Sequence, residues 1–476
     1  MIRAKLNNDG RLTEKQIVKI VDDYKKDYVM TYKEEEKYYD GQNPTIKEHG
    51  VDRFQTSKKD STAPNWKINV AYGRKIIRTI TGYAYKPGNI NYQFENESDE
   101  EIVKEIYKAN NEDVLNQILG TYQGTNGKVY ELHLLTPDNI NETTDYKITY
   151  LKAADGIAIY NHDIIPEMVA FIRMYIIDEY EWYDVYYNTE TLTYKRKYKN
   201  NNTLGVDLKK TPDIELVEEN TNLFQEIPVI ETQNNVNYIS DISVIREMID
   251  AYDNIMSGGM VEFSRFAFAY LRLVGMSLDP KDKDKLKELR IFEGLENKDA
   301  VTFLTKDIPT EFLEKMADRL KSEIHRQSFI PDIDDIQFSG SASGVAIDKF
   351  IYLMEFAVVD KEAYFRKTLR KRLQLISQIK PLADIDNIKI TFNRNLPFDD
   401  LQKAMVFEKL DGRGLSREWL ITHYTKAEDA KVEMEKADEE AKERRANMPT
   451  IFDEDLGDEE NDNTREESQT NRNVSQ

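Results

Sequence analysis

Apolar residues recur every three or four positions in two stretches of this chain, and one segment of small and polar residues separates them. In the first stretch Pro309 follows Asp307, and Leu313, Met316, Leu320 and Ile324 then mark one face of a helix. The second stretch, Val345 to Ile379, contains no proline or glycine, so it predicts a single helix of roughly 50 Å at 1.5 Å per residue. Its apolar stripe (Ile347, Phe350, Met354, Ala357, Val358, Phe365, Leu369) is wider than one partner needs to cover. The segment between them, Phe329 to Gly344, reads FIPDIDDIQFSGSASG. Small residues of this kind cost little backbone strain and pack poorly, which predicts an exposed, mobile loop.

The same periodicity predicts a helix from Thr13 to Tyr39, buried along Ile17, Ile20, Val21 and Tyr24 and ended by Gly41. Asp52 to Ala63 is polar and reads as loop. Helices are also expected over Trp66 to Tyr85, stopped by Pro87-Gly88, and over Asp99 to Leu119. From Lys128 the pattern turns to short alternating β-branched and aromatic runs. Val129 to Leu132, Lys147 to Tyr150, Phe171 to Tyr175 and Trp182 to Tyr187 read as strands, with Asp155-Gly156 and Asn200 to Asn202 as turns. An antiparallel meander fits, so the expected class is α+β. A helix over Ser240 to Met256 is interrupted by Gly258-Gly259. Leu278 to Lys306 is a lysine-rich α/β insertion too short to be an independent domain. Ile388 to Phe392 is a strand, and helices follow over Asp399 to Leu410, from Ser416, and over Glu428 to Arg445. The tail past Pro449 has nine acidic and two basic residues and almost no apolar content, so it has nothing with which to build a core.

Composition narrows the chemistry. The 476 residues suffice for two or more structural units, and 40% hydrophobic content excludes wholesale disorder. The absence of cysteine removes disulfides, thiolate metal sites and cysteine nucleophiles, and suits a reducing cytoplasm. The opening MIRAKLNNDGRLTEK lacks the apolar core of a signal peptide, and no run of about 18 apolar residues predicts a membrane span. A net charge of −21 is the wrong sign for a protein that binds nucleic acid tightly by releasing counterions. Contact with DNA that slides is compatible with it.

Catalytic signatures are missing. His49, His133, His162, His325 and His423 have no ligand spacing. Gly124 to Val129 lacks the Walker spacing and reads better as a hairpin turn, and neither GxSxG nor HExxH occurs. The acidic pair Asp334 and Asp335 is explained by an exposed turn. The sequence therefore predicts no enzyme, no cofactor and no metal.

Several segments, taken in order, resemble the portal proteins of tailed bacteriophages of the long, noncontractile-tail type. They are Tyr38-Tyr39-Asp40-Gly41, Asn69-Val70-Ala71 and Thr81-Gly82-Tyr83, then Phe224 to Ile230, Asn234-Asn235 and Ser240-Asp241 leading to Ile249 to Tyr252. Ile330-Pro331-Asp332, Phe338 and Ser343 to Ala346 follow, and lastly Asn395-Leu396-Pro397 and Gly414 to Glu418. The resemblance implies a mainly helical portal fold with an antiparallel β meander in the N-terminal half. Residues 1–238 and 345–398 would form the wing, and 239–270 and 308–330 the stem helices. Residues 271–307 would be the clip, 331–344 the tunnel loop and 399–447 the crown, with 448–476 an acidic tail that matches no motif.

It further implies a closed, usually twelvefold ring at one capsid vertex of the virion, assembled in the host bacterial cytoplasm. Its partners would be the terminase large subunit motor, head-completion or adaptor proteins, major capsid and scaffolding proteins, and double-stranded DNA passing without sequence preference. No membrane is involved. The tunnel-loop residues would be Gln337, Phe338, Ser339, Gly340, Ser341, Ala342, Ser343 and Gly344. An acidic wall including Asp332, Asp334 and Asp335 would let DNA pass without sticking. Arg366, Lys367, Arg370, Lys371 and Arg372 are candidates for a few weak phosphate contacts, or alternatively a solvated face or subunit salt bridges. Lys281, Lys283, Lys285, Lys287 and Arg290 form a clip patch for protein partners, or again a solvated face. Two other classes compete with the portal. A DNA-processing enzyme would need a Walker motif or an acidic metal site. A head–tail adaptor or minor capsid protein shares the ring logic, but adaptors are usually much shorter.

Overall fold

The computed structural model describes residues 1–49, 65–138, 143–197, 214–267, 270–273, 301–304, 310–332, 344–394, 400–425 and 430–446. The chain divides into two compact units, Met1–Leu396 and Pro397–Gln476.

In the first unit Thr13 opens α1 (Glu14–Tyr24) with a capping box, its hydroxyl accepting from the Gln16 amide while Gln16 accepts from the Thr13 amide at 2.9 Å. The helix runs on through a widened π turn, Lys25–Val29, into α2 (Met30–Tyr39), so the expected helix is present with one extra residue in its middle. A short α3 (Pro44–His49) follows. The next helix, α4 (Tyr72–Ala84), starts six residues later than Trp66. Residues 66–70 lie outside any helix, and side chains of a distant helix hold their backbone. The Ile68 amide donates to Ser257 Oγ at 3.0 Å and the Val70 amide to Asp253 Oδ1 at 2.9 Å.

The acidic helix expected over Asp99 to Leu119 is two, α5 (Glu97–Ala109) and α6 (Glu112–Asn126). Asn111 takes the left-handed conformation at φ +48°, and the Asn110 amide group donates to Ile106 O and Tyr146 O and accepts from the Ile148 amide. The break is thus sewn to a strand, an interaction that local periodicity does not report. Gly124 to Asn126 belong to the end of α6, not to a hairpin turn. Gly127 ends the helix at φ +75°, where a Cβ would lie 2.1 Å from Tyr238 O, so only glycine fits.

The strands pair antiparallel as expected, but the expected meander is divided: Val129 to Leu132 and Lys147 to Tyr150 lie in a different sheet from Phe171 to Tyr175 and Trp182 to Tyr187. With β1 (Ile2–Arg3) and β2 (Ile90–Gln93) they are β3 (Lys128–Asp138), β4 (Thr143–Lys152), β5 (Gly156–Tyr160), β6 (Met168–Ile177), β7 (Tyr180–Tyr186), β8 (Glu190–Lys197), β9 (Glu215–Thr221) and β10 (Val229–Gln233). Consecutive strands β5 to β9 pair antiparallel, and β1 joins their edge in parallel with β5. A second sheet has the order β10-β3-β4. Asp155 closes a 3-10 turn that passes the chain from one sheet to the other rather than making a hairpin. Helix α1 packs Ile17, Val18 and Val21 on the meander, and Tyr130, Phe171, Tyr186 and Val229 fill the space between the sheets. Many tyrosines serve here as core residues with one polar end, as Tyr24 does by donating to Ala153 O at 2.6 Å. Asn200 to Asn202 and Asp52 to Ala63 lie outside the described residues.

Three long helices complete this unit: α7 (Asp241–Ala267), α8 (Thr310–Gln327) and α9 (Gly344–Ile379). Between α7 and α8, β11 (Tyr270–Leu273) pairs antiparallel with β12 (Val301–Leu304), which brings the end of α7 beside the start of α8. Tyr72 touches both Tyr252, well back along α7, and His325, at the far end of α8, so the two helices run antiparallel. Helix α9 has 36 residues, about 54 Å. Met354, Val358, Phe365 and Leu369 are buried in the same core as Ile76, Ile80, Leu119 and Ile245. After α9, β13 (Lys389–Phe392) pairs with β2. The second unit contains α10 (Asp400–Leu410), α11 (Arg417–Tyr424) and α12 (Ala430–Ala446), with Ser416 capping α11 and Leu420 fully buried.

Gly258 and Gly259 do not interrupt α7. Two helical glycines cost on the order of 1 kcal/mol each relative to alanine. Neighbouring anchors offset this: Ser257 holds the Ile68 backbone and Val261 is buried. A Cβ at either glycine would meet nothing within 4 Å. Gly258→Ala should therefore raise the stability of the isolated subunit by about 0.5–1 kcal/mol in urea unfolding. A loss of stability would show that the face is not open.

Candidate functional site

The polar interactions around α9 centre on Arg372, which is fully buried. Its guanidinium donates to both Glu131 oxygens on β3 at 2.8 and 2.7 Å, and to Glu112 and Asn116 on α6 at 3.1 and 2.8 Å. His133 Nε2 lies 2.9 Å from Glu131 Oε1, and its Nδ1 lies 2.7 Å from the Tyr146 hydroxyl. Burial disfavours the Glu131 charge, but the Arg372 charge and the hydrogen bonds from His133 and Arg372 outweigh it and hold the carboxyl at about 2. Burial lowers the His133 pKa, so the ring stays neutral. Arg372 is thereby removed from the phosphate-contact set: it has no exposed atom to offer and every partner is internal.

The other four basic residues remain on the surface. Arg366, Lys367, Arg370 and Lys371 line an open groove of about 970 Å³ between α9 and β10. Arg366 donates to Glu362 at 2.7 Å and lies over the Phe392 ring, and Lys371 pairs with Glu226. Lys367 and Arg370 are exposed and have no carboxylate partner among the described residues. Glu226 and Glu231 share the groove, so its charge is mixed.

Asp332, expected in a repelling acidic wall, is instead nearly buried within an ion cluster. Lys321 pairs with it at 2.7 Å and Lys75 at 3.5 Å, while His325 Nε2 stands 3.6 Å away. His325 Nδ1 lies 3.0 Å from Ile330 O. These contacts fasten the last residues before 333–343 to α4 and α8. Sequence reasoning missed this because Lys75 is more than 250 residues away. Gln337, Phe338, Ser339, Gly340, Ser341, Ala342 and Ser343, with Asp334 and Asp335, lie outside the described residues, and Gly344 is the first residue of α9. Lys281, Lys283, Lys285, Lys287 and Arg290 also lie outside them. Beside the cluster Phe329 adopts φ +56°, uncommon for a bulky residue, and holds its half-exposed ring 6.2 Å from Phe356. Tyr352, Phe356 and Val359 make an exposed apolar strip on α9.

No group of three or more metal-ligating side chains occurs among the described residues, and no helix among them is long and apolar enough to cross a membrane. Residues 18–446 match the family described as phage portal protein, SPP1 Gp6-like. The chain belongs to that family. The portal protein of Clostridium phage phiCD119 is 24% identical over 290 residues, 57% of this chain and 61% of that protein. The chain thus spans about three fifths of that relative's length. The portal protein of Bacillus phage SPP1 is 19% identical over 419 residues, 84% of this chain and 81% of the relative. Among solved structures, the neck of a native gene transfer agent particle computed with C12 symmetry aligns at TM-score 0.43 and 11% identity, covering 74% of this chain and 88% of that one. The family match extends through the long helices and the second unit, which favours the portal over the adaptor reading.

Two outcomes test this geometry. Arg372→Met leaves Glu131 buried without its cation and should cost about 3–5 kcal/mol in urea unfolding. Glu131 is depressed from 4.5 to about 2, so its contribution is complete above pH 4.5 and is lost as pH falls through about 2. The gap between wild type and variant should narrow over that window. A uniform gap would contradict the ion-pair account. Asp332→Ala should raise amide hydrogen exchange at residues 325–332 on the order of tenfold while leaving α9 protected.

Proposed function

We propose that this chain is the repeating subunit of a closed portal ring that carries double-stranded DNA through its centre at one capsid vertex. Family membership supports the class. The observation that carries the mechanical reading is the antiparallel pair α7 and α8, whose far end is fastened by Asp332 at the base of the segment leading into α9. A heterologous contact repeated between copies must close into a ring or grow a filament, and a channel requires closure. The exposed strip Tyr352, Phe356 and Val359, with Phe329 beside it, is the surface we assign to the neighbouring subunit. Twelve copies are the expected number.

In this reading residues 1–238 and 345–398 form the wing, 239–270 and 308–330 the stem, 271–307 the clip, 331–344 the tunnel loop and 399–447 the crown. The clip receives the terminase large subunit during packaging and head-completion or adaptor proteins afterwards, with Lys281, Lys283, Lys285, Lys287 and Arg290 providing charge complementarity. Major capsid and scaffolding proteins surround the ring at the vertex. DNA passes without sequence readout, since a strongly basic wall would trap phosphates. Lys367 and Arg370, with Arg366 and Lys371, are what remains of the candidate phosphate contacts. The role is mechanical, with no chemistry of its own.

Removing Ser339 to Ser343 should leave ring assembly intact and impair DNA packaging or retention. A shortened ring that fills and keeps a genome at the normal rate would reduce the loop to a linker. Phe356→Ser should leave the subunit's helicity unchanged and shift light-scattering mass toward the monomer. Unchanged mass would place the subunit contact elsewhere.

A further inference from the structure

A cavity of about 430 Å³ lies where α1, the π turn and α2 meet β3, β5, β10 and the residues just before α7. Its walls are unusually aromatic. Tyr24, Tyr28 and Tyr32, spaced by four along the widened helix, stay on one side of it, with ring centroids 5.3 and 6.2 Å from that of Tyr24. Tyr160 and Tyr238 close the opposite side. A π turn re-aims side chains relative to an ordinary helix and often marks a functional position.

The polar groups in the cavity divide into two sets. Glu231 is fully served: Tyr160 and Tyr238 donate to it at 2.5 and 3.1 Å, and Lys128 pairs with it at 3.5 Å. Glu35 is not. It is 4% exposed; the Ser240 and Asn126 side chains bear on its carboxyl, but its Oε2 has no hydrogen-bond partner among the described residues. Asn126 is 1% exposed; its amide nitrogen donates one hydrogen to Tyr32 O at 3.1 Å and also bears on Glu35, while its Oδ1 is without a donor. Once Glu35 is ionised, the cavity is lined by two buried acceptors, one of them a carboxylate, and these call for a ligand that brings N–H donors and a positive charge. Tyrosine faces suit the same ligand, since a cation is attracted to the ring and an alkyl chain packs on it.

We propose that this cavity binds a small primary alkylammonium, its N–H groups on Glu35 and Asn126 and its alkyl chain among Tyr24, Tyr28 and Tyr32. A quaternary ammonium brings the charge without the donors and leaves both acceptors unsatisfied. The occupant ties α2 to the residues preceding α7, because Ile239 and Ser240 belong to the same wall. Burial pushes the Glu35 carboxyl up to about 7, so binding strengthens as pH rises through neutrality and the carboxylate forms. The charged neighbours that bear on this titration are Glu34 and Arg246 beside Glu35, with Glu231, Lys128 and the Met1 amine across the cavity.

The test is calorimetric titration of the full chain with n-butylammonium, with tetramethylammonium as the control. Both cations carry one charge, so general attraction to a chain of net charge −21 is the same for each. The expected result is one saturable site per chain for n-butylammonium, at least about tenfold tighter than for tetramethylammonium. Glu35→Gln should weaken it about tenfold and remove its pH dependence. Tyr28→Ala, at a half-exposed position that the core does not need, should weaken it several-fold and serves if Glu35→Gln fails to fold. No saturable binding, equal binding of the two cations, or unchanged affinity in either folded variant would overturn the proposal.

Discussion

The buried Arg372 is the interaction on which the arrangement of this subunit depends. A guanidinium taken wholly out of water must find its partners inside the protein, and here Glu131, Glu112 and Asn116 satisfy it from β3 and α6. That requirement fixes both the position and the rotation of α9. With one face turned inward at Arg372, Leu369 and Phe365, Lys367 and Arg370 must face outward, and so must Tyr352 and Phe356 nearer the start of the helix. Similar clasps act at other points. Lys361 reaches Asp241 at the start of α7, and Arg394 ties the end of this unit to Glu355 and Glu362. The long helix is pinned along its length by charges, each paired with an element from elsewhere in the chain or with the segment that follows it.

Much of this was legible in the residues. The proline-free run from Val345 predicted α9, the three-to-four spacing after Pro309 predicted α8, and the alternating β-branched and aromatic runs predicted the meander. What failed had a common cause, which is contact between distant parts of the chain. Trp66 to Ala71 has helical periodicity, yet Asp253 and Ser257 claim its amides. The helix expected through Asn110 breaks because Asn110 bonds to β4, and the one expected to stop at Gly258 continues because its neighbours are anchored. Arg372 looked like one member of a basic face because local sequence shows charge but not rotation. Only the positions of Glu131 and Glu112 reveal that one basic residue of the five turns inward.

The candidate site was legible in a different way. The order of short segments indicated the family, and the match over residues 18–446 shows it. The physical role of individual residues was less visible. Asp332 carries the same charge as Asp334 and Asp335, yet it forms an anchor with Lys321 and Lys75 rather than part of a repelling wall. A charge that faces its own subunit cannot also act on a passing duplex. The acidic balance of the whole chain therefore says less about any channel surface than the count of carboxylates suggests, because Glu131, Glu181, Glu231 and Asp332 are all spent internally.

The central claim is that copies of this subunit close around a channel. Electron microscopy of the purified chain, averaged without imposed symmetry, tests it directly. The account predicts closed rings of about twelve subunits with a central hole, a broad tier and a narrower stalk. Dispersed monomers at micromolar concentration, or open filaments that never close, would contradict it.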